Sequence, residues 1–158
     1  MSTVLSSVEE KYPSHEKLVI GIDSGAAITI CPEKLCVDYP LVEESNGQKY
    51  RTAGGGHVID GGLKILEVET ESGERRMIKT RVGAVTKFLM AANDMVEAGH
   101  LVEMTAAGGR ATHVKSGRTW DFHRRKGVFE AEVKVIPYAC TKLVRQLARG
   151  SAALQASR

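Results

Sequence analysis

The chain has 158 residues, of which 42% are hydrophobic and 26% are charged, as in a single globular domain with short tails. No run of about 18 apolar residues occurs, and the N-terminus lacks the basic and then apolar layout of a secretory signal. We therefore expect a cytoplasmic protein that does not contact membranes. The three cysteines form no disulfide or metal-ligand pattern, so we expect reduced thiols, no metal and no cofactor.

The net charge of +3 is unevenly distributed along the chain. Residues 1–109 carry 11 basic and 16 acidic side chains, whereas residues 110–149 carry 10 basic and 3 acidic ones. A basic segment can indicate contact with nucleic acid, although a solvated face or a linker is the more common explanation. A nucleic-acid-binding fragment stays open as one hypothesis, but we do not expect nucleic acid as a partner.

The first half of the chain predicts short strands separated by turns. Residues 1–16 are polar and predict a flexible leader. Apolar alternation predicts a strand at 17–23, which enters a turn at "SGAA", and a second strand at 27–32, which ends at Pro32. Residues 48–70 predict a hairpin whose tip, "AGGGH", has three glycines that can adopt positive φ.

The next segments predict a strand and the single helix. Residues 74–85 alternate with the period of a strand. Residues 88–104 begin as an apolar strand and pass into a short helix between Asn93 and Ala98. Asn93 is the expected N-cap, and Gly99 is the expected glycine that ends the helix.

The C-terminal third predicts further strands. Residues 111–136 alternate around turns at "KSGR" and "RRKG" and predict three short strands, including a hairpin that extends the domain. Residues 137–158 predict a basic tail. Recurrent short strands with one short helix predict an all-β, barrel-like domain over 17–136.

One carboxylate, Asp23, ends an apolar strand and is therefore the first candidate for a functional residue. A lone aspartate at this place is usually a turn or capping residue. Here Ser24 places a hydroxyl beside the carboxylate, and Gly25 leaves room for a second backbone or a substrate to approach. Ala26 and Ala27 keep the neighbourhood small. These residues predict a crowded turn that carries one carboxylate.

Several stretches carry a family resemblance. "IDSGAA" resembles the active-site Asp-Ser/Thr-Gly-Ala motif of retropepsin-type aspartic proteases, and "GIDSGAAITICPEKL" is similar to the protease region of copia-type long-terminal-repeat retrotransposons. "YRTAGGGHVIDGGLKI" resembles their flap hairpin, and "FLMAANDMVEAGHLVEM" resembles the strand and helix near the end of retropepsins. "VKSGRTWDFHRRKGVFEAEV" is similar to the stretch after the protease in copia-type polyproteins. The resemblance covers roughly residues 17–136.

The resemblance implies a retropepsin-like closed β-barrel, which is half of an acid protease. It implies an aspartic endopeptidase that cleaves polyprotein peptide bonds and in which Asp23, Ser24 and Gly25 form the catalytic motif. Because the chain supplies one such motif, the second aspartate must come from a second chain in a homodimer. The substrate-binding residues that the resemblance implies form a floor and a flap: Ala26, Ala27, Ile28, Thr52, Ala53, Gly54, Gly55, Gly56, His57 and Val58.

The chain departs from the family at one pair of positions. Viral retropepsins often pair an acidic residue after the motif with an arginine before the helix, whereas this chain has Ala27 and Ala92. Asp60, in "VIDGG", is a rival for the second carboxylate, although it lacks the following hydroxyl residue. The alternative from another functional class is a catalytically silent retropepsin-like module for dimerisation or peptide binding.

Overall fold

The structure is a computed structural model that describes residues 16–52, 55–142 and 144. In these residues strands predominate and the one complete helix is short, which confirms the predicted all-β class. The strands are β1 (Glu16–Asp23), β2 (Ile30–Pro32), β3 (Lys49–Arg51), β4 (His57–Ile59), β5 (Leu63–Thr70), β6 (Arg75–Gly83), β7 (Phe88–Ala91), β8 (His100–Thr105), β9 (Gly108–His113), β10 (Thr119–Arg125) and β11 (Val128–Val135). The helix is α1 (Ala92–Glu97), and a 3₁₀ turn, Tyr138–Cys140, follows β11.

The order of strands in the main sheet places the end of β1 beside the start of the helix. β7 lies between β1 and β2, parallel to β1 and antiparallel to β2. β2 pairs with the end of β6, β6 with β5, and β5 with β11. β11 also pairs along β1, so the series of pairings returns to the strand from which it began. Asp23 is the partner of Ala91, the last residue before α1.

Alternate residues of β1 and β6 are buried in the core, whereas β2 is buried completely and β5 almost completely. In β1, for example, Leu18, Ile20 and Ile22 are buried while Val19 between them is exposed. The larger buried side chains of the cluster come from six strands and from α1: Ile20, Leu66, Val68, Ile78, Phe88, Met90, Met95, Phe122 and Val133. Burial of these apolar side chains is the main stabilising contribution to the fold.

The three strands predicted over 111–136 are present as β9, β10 and β11, but the prediction missed β8 and the role of β11. β8 and β9 form a hairpin that the sequence did not indicate, and β10 pairs with β9. β11 is not part of an extension, because it pairs with both β1 and β5 in the main sheet. The turn before β11 is as predicted, since Lys126 and Gly127 both have positive φ (52° and 76°), as a two-residue type I′ hairpin turn requires.

Three predicted boundaries were wrong. β1 begins at Glu16, one residue inside the predicted leader. The second strand is only β2, which begins at Ile30; Thr29 before it is held by hydrogen bonds to Asp94 and by its carbonyl, which accepts from the N–H of Arg81. Ala91, not Asn93, occupies the N-cap of α1, where no side chain caps the helix. Gly99 does have positive φ (92°) directly after the helix.

Both predicted tails fall mostly outside the described residues. The leader lies outside them except for Glu16, and so do residues 145–158 of the basic tail. The structure therefore describes the domain prediction over 17–136 almost completely, apart from residues 53 and 54.

Candidate functional site

Asp23 ends β1 and begins a tight turn. The backbone N–H of Gly25 donates a hydrogen bond of 2.8 Å to Asp23 Oδ1, which fixes one oxygen of the carboxylate. Ser24 and Gly25 are exposed, and Asp23 is half-buried. A β-carbon added at Gly25 would lie 3.4 Å from Asp23 Oδ1, which is an ordinary van der Waals contact. The turn presents one carboxylate beside an accessible hydroxyl and an accessible backbone.

The residues that follow the turn are tied to α1 by a carboxylate that the sequence analysis missed. Thr29 donates from its N–H (2.9 Å) and its Oγ1 (2.7 Å) to Asp94 Oδ2. The N–H of Ala91 in turn donates to Thr29 Oγ1 at 3.1 Å. These bonds join the same two elements that a charged pair at Ala27 and Ala92 would have joined. The signal in the sequence was a threonine six residues after Asp23 and an aspartate in the first turn of the helix.

The three predicted floor residues lie on this tied loop. Ala27 is exposed, while Ala26 and Ile28 are half-buried. Small and apolar side chains of this kind can line a pocket without competing for hydrogen bonds. The floor residues therefore lie in a loop that is fixed at one end by the Asp23 turn and at the other by the hydrogen bonds between Thr29 and Asp94.

The predicted flap is a separate two-stranded hairpin formed by β3 and β4. Its tip is closed by hydrogen bonds from the Thr52 N–H to the Gly56 carbonyl (2.9 Å) and from the Gly55 N–H to the Thr52 carbonyl (3.0 Å). Gly55 has φ of +86°, the conformation that the glycine-rich tip suggested. Thr52, Gly55, Gly56 and His57 are exposed. Ala53 and Gly54 lie outside the described residues.

Val58 differs from the other flap residues because it is buried. A β-carbon added at Gly83 would lie 2.7 Å from Val58 Cγ1 and 2.9 Å from Ile30 Cδ1. The hairpin therefore packs through Val58 onto the ends of β2 and β6, and Gly83 provides the space for this contact. Val58 contributes packing where the sequence analysis predicted contact with substrate.

Asp60, the rival second carboxylate, is buried and fully engaged inside its own chain. Arg81 binds it with both ends of its guanidinium group, from Nε to Oδ1 at 2.7 Å and from Nη2 to Oδ2 at 2.6 Å. Tyr50 donates its hydroxyl to Oδ1 at 3.0 Å, and the N–H groups of Asn46 and Gly62 donate to Oδ2. A carboxylate with five donors and no exposed oxygen has no lone pair free for a water or a substrate.

The electrostatics of Asp60 agree with a structural role. The charge-assisted hydrogen bonds from Arg81 hold the pKa of Asp60 well below its ordinary value, and they outweigh the opposing effect of burial. Asp60 therefore stays ionised and cannot supply the proton that one member of a carboxylate pair must carry. Its partners Asn46 and Tyr50 precede the flap tip, so the cluster fixes the base of the hairpin.

Three arginines of the basic segment lie close to carboxylates. Arg110 pairs with Asp121 at 2.6 Å, and Arg125 pairs with Glu132 at 2.8 Å. Arg118 lies 3.7 Å from Glu74 of the preceding hairpin. The segment still carries more basic than acidic side chains, so these pairs are compatible both with a solvated face and with a nucleic-acid surface.

The described residues contain neither a cluster of metal ligands nor a membrane-spanning helix. No group of three or more His, Cys, Asp or Glu side chains is arranged to hold a metal ion there. No helix in that part of the chain has the length and apolar character needed to cross a membrane. Comparison with protein-family models, with curated proteins and with solved structures found no match.

Proposed function

We propose that the protein is an aspartic endopeptidase of the retropepsin type that acts as a homodimer and cleaves polyprotein segments. The observation that carries the proposal is the placement of Asp23. It ends a strand that runs parallel to β7, enters an Asp-Ser-Gly turn, and is followed by a loop tied to the helix after β7. In this proposal, the ring of pairings through β1, β7, β2, β6, β5 and β11 is a closed, retropepsin-like barrel.

The chemistry requires two such carboxylates. Two carboxyl groups held close together share one proton, because both cannot ionise. The ionised group takes a proton from a water, and the protonated group polarises the scissile carbonyl and stabilises the developing oxyanion. The pair titrates as a unit. Since Asp60 is committed to Arg81, the second carboxylate is the Asp23 of a second chain.

A twofold dimer places the two Asp23 turns on its axis. The exposed Ser24 and Gly25 then lie at the subunit contact, where each serine hydroxyl bonds across the axis. The substrate lies extended between the floor, residues 26–28, and the hairpin of β3 and β4, and it is held by backbone hydrogen bonds like an added strand. Closure of the glycine-rich tip excludes water from the reacting bond.

The decisive experiment compares the wild-type chain with Asp23→Asn in a peptide-library cleavage assay at pH 4 to 7, with and without pepstatin. We expect Asp23→Asn to remove pepstatin-sensitive cleavage while the melting curve stays cooperative. Asp121→Asn, which changes a surface carboxylate paired with Arg110, is the matched control and should retain activity. Full activity in Asp23→Asn refutes the proposal. Peptide binding without cleavage by the wild type indicates the silent module.

Mixing tests the shared site. With equal amounts of wild type and Asp23→Asn and random pairing, about one quarter of the dimers carry two Asp23 carboxylates. The cleavage rate should therefore fall to about half that of the same amount of wild type alone. Specific activity should also fall on dilution, because dissociation separates the two halves of the site. An active monomer in sedimentation would contradict the shared site.

A further inference from the structure

Part of β6 has an open edge inside the fold. β5 pairs with β6 from Arg75 to Arg81 on one side, whereas β2 pairs on the other side only from Arg81 to Gly83. In the described residues no strand pairs with the second side between Arg76 and Thr80. An unpaired strand edge is a template for an added strand.

The open side can be assigned from the bonds at the end of β6. The N–H of Val82 donates to the Gly62 carbonyl before β5, and the N–H of Arg81 donates to the Thr29 carbonyl before β2. Successive residues of a strand direct their backbone groups to opposite sides. Met77 and Lys79 therefore present their N–H and C=O groups to the same side as Arg81, where the edge is open.

A cavity of about 240 Å³ lies along this edge. We call it the β6 slot. Its lining is mainly apolar and includes Met77, Ile78, Met90, Met95, Ala98 and Trp120. Methionine side chains adapt to varied partners, and an apolar lining next to free backbone donors and acceptors is the combination by which proteins bind extended peptides.

Both ends of the β6 slot are closed. At one end, Arg118 Nη2 donates to the Arg75 carbonyl at 3.3 Å, and Arg76 Nη2 donates to the Thr119 carbonyl at 3.0 Å. At the other end, β2 pairs with this edge of β6 from Arg81 onwards. The open edge of about five residues spans roughly 16 Å. An internal peptide segment would have to leave past both closures, whereas a chain end has to pass only one.

The end of the slot where β6 begins is positively charged. Arg76 and Arg118 share a single carboxylate, Glu74, so one positive charge has no counter-charge in the cluster. Lys79 and His100 also line the slot. The one carboxylate in the lining, Asp94, lies at the opposite end of the slot, because it bonds to Thr29, whose carbonyl accepts from the N–H of Arg81. The slot therefore favours a negatively charged group at the end where β6 begins.

We propose that the β6 slot binds the C-terminus of an extended polypeptide, which pairs antiparallel with Met77–Lys79 and places its terminal carboxylate by Arg76 and Arg118. The direction follows from the charge, because the cationic end lies at the start of β6. Alternate apolar side chains of the peptide fill the space beside Met90, Met95 and Trp120. This site is independent of the proposed peptidase activity, since none of its donors belongs to the Asp23 turn.

The only tryptophan of the chain, Trp120, lines the slot and reports on its occupancy. The probe is acetyl-Thr-Val-Thr-Val with a free C-terminal carboxylate, titrated against the full chain carrying Asp23→Asn to prevent cleavage. We expect a saturable change in tryptophan fluorescence. The same peptide as a C-terminal amide should bind at least tenfold more weakly, and an N-methylated version should not bind. A failure here leaves the cleavage experiments with the wild type unaffected.

Two variants and one exchange measurement complete the test. Arg118→Ala and Arg76→Gln should each weaken binding of the carboxylate peptide at least fivefold, because both side chains lie at the start of β6. Arg124→Ala changes an exposed arginine of β10 and should not weaken binding. Amide hydrogen exchange at Met77 and Lys79 should be fast in the free chain and slow with peptide. Three results overturn the proposal. The first is equal affinity for the peptide carboxylate and the peptide amide, and the second is no saturable change in tryptophan fluorescence. The third is slow exchange of the Met77 and Lys79 N–H groups in the free chain, which shows that this chain or a second copy already covers the edge.

Discussion

Replacing Arg81 with leucine tests whether the Asp60 cluster holds the base of the flap. Asp60 is buried, and two of its five hydrogen bonds come from this guanidinium. Arg81→Leu leaves an ionised carboxylate in the interior with three neutral donors, and removal of one partner of a buried pair costs about 3–5 kcal/mol. We expect urea unfolding at pH 7 to show a loss of this size, with an unchanged m-value.

The double variant distinguishes the energy of the charged pair from the loss of side-chain packing around it. In Asp60→Asn with Arg81→Leu, the buried charge is gone, so the loss should be about 1–3 kcal/mol smaller than the sum of the two single losses. All variants must be compared at one protein concentration, because dimerisation contributes to apparent stability. Arg110→Leu breaks an exposed pair and should cost at most about 1 kcal/mol. A loss under about 1 kcal/mol for Arg81→Leu, or strict additivity, would refute the reasoning.

The same cluster predicts a pH dependence with a defined sign. Because the pKa of Asp60 is lowered in the folded chain, its contribution to stability is complete above the unfolded pKa of about 4 and is lost as the pH falls towards the folded value. Arg81→Leu removes the largest cause of this lowered pKa and therefore reduces that contribution. The difference in unfolding free energy between wild type and Arg81→Leu should therefore be largest near neutral pH and should shrink between pH 5 and 3. A difference that is constant over this range would contradict the assignment.

Two further changes test the loop and the flap tip. Asp94→Ala removes the carboxylate oxygen that accepts from both the N–H and the hydroxyl of the buried Thr29, so we expect about 1–3 kcal/mol of destabilisation together with a fall in kcat, measured by urea unfolding and peptide cleavage. Glu97→Ala, on the exposed part of the same helix, is the control and should change neither. Gly55→Val places a branched side chain at φ of +86°. It should lower kcat/KM about tenfold or more, which corresponds to about 1.4 kcal/mol, and should have a smaller effect on the melting temperature. The control, Gly127→Val, introduces similar strain at a turn outside the flap and should leave kcat/KM unchanged.

Local features of the fold could be predicted, and non-local ones could not. The turn at Lys126 and Gly127 and the positive φ of Gly55 depend on adjacent residues only, so the sequence is informative there. The role of β11 depends on partners about 110 residues away in β1, which no local pattern encodes. Strand propensity also failed at residues 27–29, which precede β2 and where Thr29 bonds to Asp94 of α1, 65 residues away in the chain.

The two candidate aspartates, Asp23 and Asp60, have similar sequence contexts, an apolar pair before and a glycine soon after. Their partners distinguish them. Asp60 meets an arginine from a neighbouring strand and three other donors, which satisfy its charge inside one chain. Asp23 receives one backbone hydrogen bond and keeps an accessible face. A carboxylate with spare acceptor capacity at an exposed turn can still bind water, substrate or a second copy of itself, whereas a saturated one cannot. Arg81, which binds Asp60 most strongly, lies 21 residues away in the chain, so the local motif alone could not have excluded Asp60 as a catalytic carboxylate. This contrast is why the proposed active site needs two chains.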